Sequence, residues 1–192
     1  IEENDLSKFE FNDIAEKAYR QLMKDSKISL ALLICEEFSL PSEFQIEAVS
    51  ANFRVLGDQN EFEKAYDWGL KYNLSKNDLN NLSVKAFNAA LQDKNVIKAL
   101  KYVRDFEISS KIVVDDARRT FNEFYSAGLF LEALYLGKEF DMSPKRTLTS
   151  GLNAYMTLIS KDKIKDFIEL EKSYSILHDR DISEVEEKPL LD

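Results

Sequence analysis

The residues of this chain with the most reactive side chains do not form a catalytic pattern. The one histidine, His178, lies beside two aspartates in an acidic stretch, where a solvated side chain is expected and not a base or a metal ligand. The single cysteine, Cys35, excludes an internal disulfide and a zinc site built on cysteines. Sequence motifs of phosphate-binding loops, dinucleotide-binding turns, zinc-peptidase helices and nucleophile elbows are absent. We therefore predict a protein that is not an enzyme, with no catalytic, cofactor-binding or metal-binding residues.

Adjacent acids also fail to form the carboxylate pairs that acid–base catalysis uses. Glu36 and Glu37 would point about 100° apart on a helix. Asp115 and Asp116 stand where a helix is predicted to begin, and negative charge is favourable at a helix N-terminus. These acids indicate helix ends and solvated faces.

A set of cations and amides is the best candidate for a binding site. Its members recur at the same positions of successive helices, with residues 20, 54, 88 and 122 each 34 apart. Arginine can bind a carboxylate through two hydrogen bonds, and the asparagine amide can pair with a peptide backbone. The predicted site, for an acidic or extended peptide, consists of Lys17, Arg20, Arg54, Lys85, Asn88, Arg119 and Asn122. The alternative is a solvated face of mixed charge.

The elements that position these residues follow from the same interval of 34 residues. One column of the repeat is alanine in four copies, at Ala31, Ala65, Ala99 and Ala133. Another column is aromatic in five copies: Tyr19, Phe53, Phe87, Phe121 and Tyr155. Within a copy, apolar residues lie three and four apart, which is the spacing of one helix face. Internal repeats of this length are typical of stacked helical hairpins.

Each copy is predicted to contain a helix A, a tight turn and a helix B. Helix A is expected at about 11–24, 44–57, 78–92, 112–126 and 146–160. Helix B is expected at about 27–38, 61–72, 95–106, 129–140 and 163–175. Serines between the copies could cap the next helix. The fold class is therefore all-α, a right-handed αα-solenoid of about five repeats, at about 9–43, 44–77, 78–111, 112–145 and 146–176. They form a single domain, 1–176, followed by an acidic tail, 177–192.

Small residues on helix B have a packing reason, because two helices approach closely only where a side chain is small. Four residues after the alanine a second small residue stands at Cys35, Gly69 and Gly137. Cys35 is accordingly interpreted as a packing residue and not as a reactive thiol. The column Ile34, Trp68, Tyr102, Leu136 and Leu170 is interpreted as packing between repeats, with an outer apolar stripe as the alternative. The fifth copy replaces the small residues by Phe167 and Glu171 and is expected to be a cap.

The stretch "YSAGLFLEALYLGKEF", followed by "MSP", resembles a pentatricopeptide helix hairpin, with a small residue and glycine at the turn and Glu-Ala-Leu in helix B. The interval of 34 and the alanine of helix B also resemble tetratricopeptide repeats. The chain is thus similar to a divergent member of the helix-hairpin solenoids over about 9–176. The resemblance implies a scaffold for peptides or proteins on the concave helix-A surface or, in the pentatricopeptide branch, for single-stranded RNA.

Charge favours a protein or peptide partner, with an acidic one among the candidates, over nucleic acid. The net charge of −9 lies at the two ends, with −5 in residues 1–16 and −4 in 177–192. The neutral body lacks the field that attracts phosphates. A structural subunit of a larger assembly is the remaining alternative, and the oligomeric state stays open. No apolar run is long enough for a membrane span. The sequence slightly favours the cytoplasm, while the start at Ile1 leaves room for a signal peptide already removed.

Overall fold

The chain folds into helices throughout the part that the structure describes. A computed structural model describes the backbone of residues 2–175 and the side chains of residues 11–175; within this range it contains helices and no strand. The helices are α1 (Glu2–Lys24), α2 (Ile28–Glu37), α3 (Ser42–Asp58), α4 (Phe62–Lys71), α5 (Lys76–Gln92), α6 (Val96–Asp105), α7 (Ser110–Ser126), α8 (Phe130–Glu139), α9 (Pro144–Ser160) and α10 (Ile164–Tyr174). The predicted all-α class is confirmed. The acidic tail 177–192, with His178, lies outside the described residues.

The helix boundaries recur at the interval read from the sequence. The short helices begin at residues 28, 62, 96, 130 and 164, and the long helices from α3 onward begin at 42, 76, 110 and 144, always 34 apart. The predicted short helices agree to within about one residue, but the long ones begin two residues earlier than predicted. The polar residues after each turn form the first helical turn, and Pro144 suits that position because it needs no N–H there. Helix α1 begins at Glu2 and not near residue 11, in a stretch without glycine or proline.

The turns between helices share one backbone geometry. Inside the hairpins the residue with positive φ is Ser26, Asn60, Lys94, Gly128 or Asp162; between hairpins it is Ser39, Asn73, Glu107 or Asp141. Next to each, an N–H donates to the carbonyl five residues earlier, as from Lys27 to Leu22 at 2.8 Å. This closure satisfies carbonyls that the helix end leaves free.

Serine capping, predicted for each long helix, occurs at Ser75. Its Oγ accepts a hydrogen bond from the Asp78 N–H at 3.1 Å and donates to the Asp78 carboxylate at 2.6 Å. At Ser109 and Ser143 the prediction is wrong, because neither side chain makes a capping hydrogen bond. A cap that the sequence reading missed is Asn95, whose side chain accepts from the backbone N–H of Lys98.

Contacts divide the chain into two compact units, Ile1–Ala86 and Phe87–Asp192, with the boundary inside α5. In the first unit, neighbouring helices from α1 to α4 contact one another in sequence order. Tyr19 is buried in this unit, and its hydroxyl donates to the Phe44 carbonyl at 2.7 Å and to Glu47 at 3.2 Å. Gly69 lies where an added Cβ atom would be 2.6 Å from the side-chain end of Leu79 and 3.1 Å from the ring of Phe53, so the small residue leaves room for these two side chains.

In the second unit, α8 contacts α7, α9 and α6. Gly137 of α8 lies between two long helices: an added Cβ would be 3.1 Å from Phe121 of α7 and 2.8 Å from the Thr147 methyl of α9. Gly69 and Gly137 therefore occupy equivalent places in the two units. The contacts of neighbouring helices are consistent with a repeat in each unit.

Most positions of the predicted packing columns are buried, while Ile34, Phe53 and Trp68 are half-buried. All four alanines of the repeat are fully buried, and Cys35 is 5% exposed, with its thiol pKa raised by burial. Packing is therefore the role of Cys35. In the second helix-B column, the predicted packing role is confirmed at Tyr102, Leu136 and Leu170, which are buried. Trp68 is half-buried and donates from Nε1 to the Val49 carbonyl at 3.2 Å. The alternative, an outer apolar stripe, is wrong for the buried Tyr102, Leu136 and Leu170.

Candidate functional site

The seven residues of the predicted site all lie on long helices. Lys17 and Arg20 are on α1, Arg54 on α3, Lys85 and Asn88 on α5, and Arg119 and Asn122 on α7. The side chains are exposed, apart from Asn88, which is half-buried. In the second unit, Asn88 and Arg119 line one cavity of about 390 Å³ with Gln92 and Glu123. Asn122 lines a different cavity.

Four of the five cations in this set are already paired with acids. Lys17 contacts Asp13 at 2.6 Å, Arg20 contacts Glu16 at 3.3 Å, Lys85 contacts Asp58 at 2.8 Å and Arg119 contacts Asp116 at 2.6 Å. The hydrogen bond from Lys17 to Asp13, together with the charge of Asp13, raises the pKa of Lys17. Within the described residues only Arg54 of the set makes no ion pair. This face therefore carries little net charge. A partner's carboxylate would have to displace the carboxylates of the chain that already contact these cations.

The amides of the predicted set are also engaged in the second unit. Asn88 Nδ2 donates to Asp116 at 3.0 Å, and Asn122 Oδ1 accepts from Arg146 at 2.8 Å. Both amides would have to exchange these intramolecular hydrogen bonds to pair with a peptide backbone. The structure thus places the predicted residues on the expected helices and leaves their partner-binding role a prediction.

A larger concavity lies on the short helices of the second unit, with α8 between α6 and α10. Helix α8 contacts α6 directly, and the ring of Tyr135 on α8 lies 5.6 Å from the ring of Tyr174 on α10. The cavity is open and has a volume of about 490 Å³. We call it the B-helix groove, lined by Ile97, Leu100, Arg104, Leu131, Tyr135, Leu158, Lys163, Asp166, Glu169, Leu170, Ser173 and Tyr174.

One end of the B-helix groove is apolar. Ile97 and Leu100 come from the start of α6, Leu131 from the start of α8 and Leu158 from α9. Ile97 is 66% exposed, although it lines the same concavity as Leu100, Leu131 and Leu158. Exposed apolar surface in a concave place marks binding sites more often than scattered surface residues do.

Hydrogen-bond donors line the other end of the groove. Burial raises the pKa of Tyr135, with a further contribution from Glu132 and Asp166. Burial and Tyr135 raise the pKa of Tyr174, and Arg104 opposes this rise, which places its positive charge near the Tyr174 hydroxyl. Both hydroxyls therefore stay protonated at neutral pH and are available as donors, and that of Tyr174 lies near the Arg104 guanidinium.

Sequence reasoning did not find the B-helix groove, although a weak signal exists. Ile97 and Leu131 are 34 residues apart and share a column outside the core columns. They come together because the short helices α6 and α8 are neighbours, and periodicity alone does not predict that these two helices contact each other. Arg104 lies more than 60 residues before Asp166 and Glu169, the acids that line the same groove.

Within the described range, no cluster of three or more histidine, cysteine or acidic side chains could hold a metal ion. Over the same residues, every helix is too short or too polar to cross a bilayer.

Comparison of the chain with protein-family models, with curated proteins and with solved structures finds no match in any of the three.

Proposed function

We propose that this protein is a non-enzymatic interaction scaffold that binds a segment of a partner protein in the B-helix groove. The observation that carries the proposal is the groove itself, an open concavity of about 490 Å³ with an apolar end and a donor end. A preformed surface with a few apolar anchors and well-placed polar groups is what protein recognition requires.

The repeat supports a scaffold of the tetratricopeptide and pentatricopeptide kind. Helix boundaries recur every 34 residues, and Gly69 and Gly137 hold equivalent places between long helices. We infer that successive hairpins stack as a right-handed αα-solenoid. In such an arrangement each short helix contacts the short helix of the next hairpin, as α6 contacts α8.

Binding is favoured over catalysis by the titration properties of the groove. A general acid or base works best when its pKa lies near the working pH. The raised pKa values of Tyr135 and Tyr174 move these groups away from neutrality. They can orient a ligand through hydrogen bonds but are poorly suited to exchanging protons at pH 7.

The long-helix face that the sequence predicted is the second candidate surface. Arg54 has no ion-pair partner among the described residues, and Asn88 and Arg119 line one cavity in the second unit. Single-stranded RNA would use this face, but its other cations are already paired with acids. A permanent subunit contact in a larger assembly would bury the groove instead.

The test is site-specific photocrosslinking in a nuclease-treated native lysate. A photoreactive amino acid is placed in the full chain at Ile97, in the groove, or at Ile112, a 49% exposed control on α7. We expect a discrete protein adduct from position 97 and none of the same mass from position 112. Equal labelling from both positions, or none from position 97, would overturn the groove as the binding site.

Two charge variants in the same lysate separate the candidate surfaces. Arg104→Glu alters the groove, and the triple variant Arg20→Glu/Arg54→Glu/Arg119→Glu alters the long-helix face. Loss of the adduct in Arg104→Glu alone supports the groove. Loss only in the triple variant moves the site to the long helices. An adduct that forms in a parallel lysate without nuclease and is lost in the treated one supports RNA.

A further inference from the structure

We propose that the segment bound in the B-helix groove is an amphipathic α-helix with an acidic residue on one flank of its apolar face and a basic residue on the other. This inference rests on the proposed function and specifies the chemistry of the partner. It follows from two charged residues on opposite walls of the groove and from the apolar surface between them.

Arg104 supplies the positive wall on α6. Of the six arginines among the described residues, four donate to an acid or an amide of a neighbouring side chain: Arg20, Arg118, Arg119 and Arg146. Arg104 makes no hydrogen bond or ion pair with a described residue, although it lines the groove beside Tyr174. A guanidinium that keeps its five donors free next to an apolar surface is suited to a carboxylate.

Glu169 supplies the negative wall on α10. Its carboxylate makes no hydrogen bond or ion pair with a described residue; the bond from Ser173 goes to the Glu169 backbone carbonyl. Asp166, one turn earlier, contacts Lys163 at 3.7 Å and is therefore partly compensated. A basic side chain of the partner would find Glu169 free on the side opposite Arg104.

A helix suits this groove better than an extended strand. Apart from Lys163, the lining residues of the groove lie on helices, and beyond the first helical turns their backbone N–H groups are bonded within each helix. An extended segment lying on Ile97 and Leu131 would cover its own backbone groups while finding few partners for them, at a cost for each group. A helix satisfies its own backbone and can place an apolar stripe on the same side chains.

The dimensions of the groove define the spacing on the partner. Ile97 and Arg104 are seven residues apart on α6, about 10 Å along the helix axis. A bound helix that runs along α6 therefore places its acidic residue about two turns from the apolar anchor, on the flank of the apolar face that is turned toward α6. The apolar anchor lies against Ile97 and Leu131, and the carboxylate reaches Arg104.

The experiment uses the full chain and three fluorescein-labelled 15-residue peptides with the same leucine stripe. The flanks of the stripe carry glutamate on one side and lysine on the other (mixed peptide), glutamate on both sides (acidic peptide) or lysine on both sides (basic peptide). Binding is measured by fluorescence anisotropy. The mixed peptide should bind about threefold to tenfold more tightly than either of the others, since each of those meets one like charge.

Charge reversal in the protein should then change which of the three peptides binds most tightly. Arg104→Glu should favour the basic peptide, and Glu169→Lys should favour the acidic peptide. The matched controls are Arg54→Glu on α3, the other arginine without a described partner, and Glu37→Lys on α2. Both controls should leave the order of the three peptides unchanged, and circular dichroism should show that all four variants remain folded.

The outcomes separate this inference from the proposed function. An order that reverses with Arg104→Glu and Glu169→Lys, and not with the controls, supports the inference. Equal binding of the three peptides, or an order that ignores both reversals, overturns it. If position 97 still captures a partner in the crosslinking experiment, the scaffold function stands while the partner chemistry is wrong.

Discussion

Replacing Gly137 by alanine tests the packing that holds α8, the central helix of the B-helix groove. An added Cβ would collide with Oγ1 of Thr147 and lie 2.8 Å from its Cγ2 and 3.1 Å from Phe121. Thr147 is buried, and both colliding atoms branch from its Cβ, so a change of rotamer does not remove the clash. The two long helices and α8 would have to move apart.

The magnitude follows from two opposing terms. Glycine-to-alanine in a helix interior gains about 1 kcal/mol of helix propensity. Overpacking a well-filled core costs about 1–3 kcal/mol. We expect Gly137→Ala to destabilise the protein by about 1–2 kcal/mol, since both γ atoms of Thr147 are affected. The measurement is urea unfolding followed by circular dichroism, with the midpoint and slope fitted together.

A double-mutant cycle with Thr147→Ala isolates the clash. In that background both γ atoms are gone, and Gly137→Ala should become neutral or stabilising by up to about 1 kcal/mol. Gly57→Ala is the matched control, because its Cβ would meet only the flexible end of Leu82 at 3.0 Å. Equal effects of Gly137→Ala with and without Thr147 would refute the packing described for α8.

Three further predictions concern stability and burial elsewhere in the chain. Burial and a neighbouring glutamate raise the pKa of Tyr19 from its ordinary value of 10.0. The folded chain therefore holds this proton more tightly than the unfolded chain, and part of the free energy of unfolding is lost as the pH rises above that value. Tyr19→Phe should cost about 1–2 kcal/mol at pH 7, by removing the bond to Phe44, and should lose less stability than wild type in alkaline urea titrations. Lys94→Gly should stabilise by about 0.5–1 kcal/mol, because Lys94 has positive φ, whereas Gly128→Ala should destabilise by about 1 kcal/mol in thermal unfolding. Trp68 is the only tryptophan, and its emission should be blue-shifted in dilute protein and move to longer wavelength in urea; emission typical of water in the folded state would contradict its packing.

Much of the helical framework could be predicted from the sequence because it depends on local spacing. Apolar residues three and four apart specify a helix face, and the fully buried Ala31 and Ala133 were identifiable from their recurrence alone. Helix starts were less accurate, because polar residues such as Ser42 serve equally well as caps or as first helical residues. Ser109 and Ser143 show the same ambiguity, standing at the cap position without a capping hydrogen bond.

Part of the charge pairing in the predicted site could be read from the sequence. Arg20 and Arg119 pair with Glu16 and Asp116, which lie on the same helices at the i,i+4 and i,i+3 spacing that brings side chains together. The partner of Lys85 is Asp58, which is 27 residues away on another helix. Of these three pairs, only the one between Lys85 and Asp58 depends on the tertiary structure.

The sequence by itself determined the helical class, the interval of 34 residues and the buried small-residue columns, since each rests on side-chain periodicity along one helix. Only the tertiary structure decided where the B-helix groove lies within the second unit and that Arg104 and Glu169 both line it. Ile97, Arg104 and Glu169 meet in one groove because α6, α8 and α10 lie side by side, and no local pattern encodes that neighbourhood. The free charges and the exposed apolar end of that groove are consequences of packing between helices.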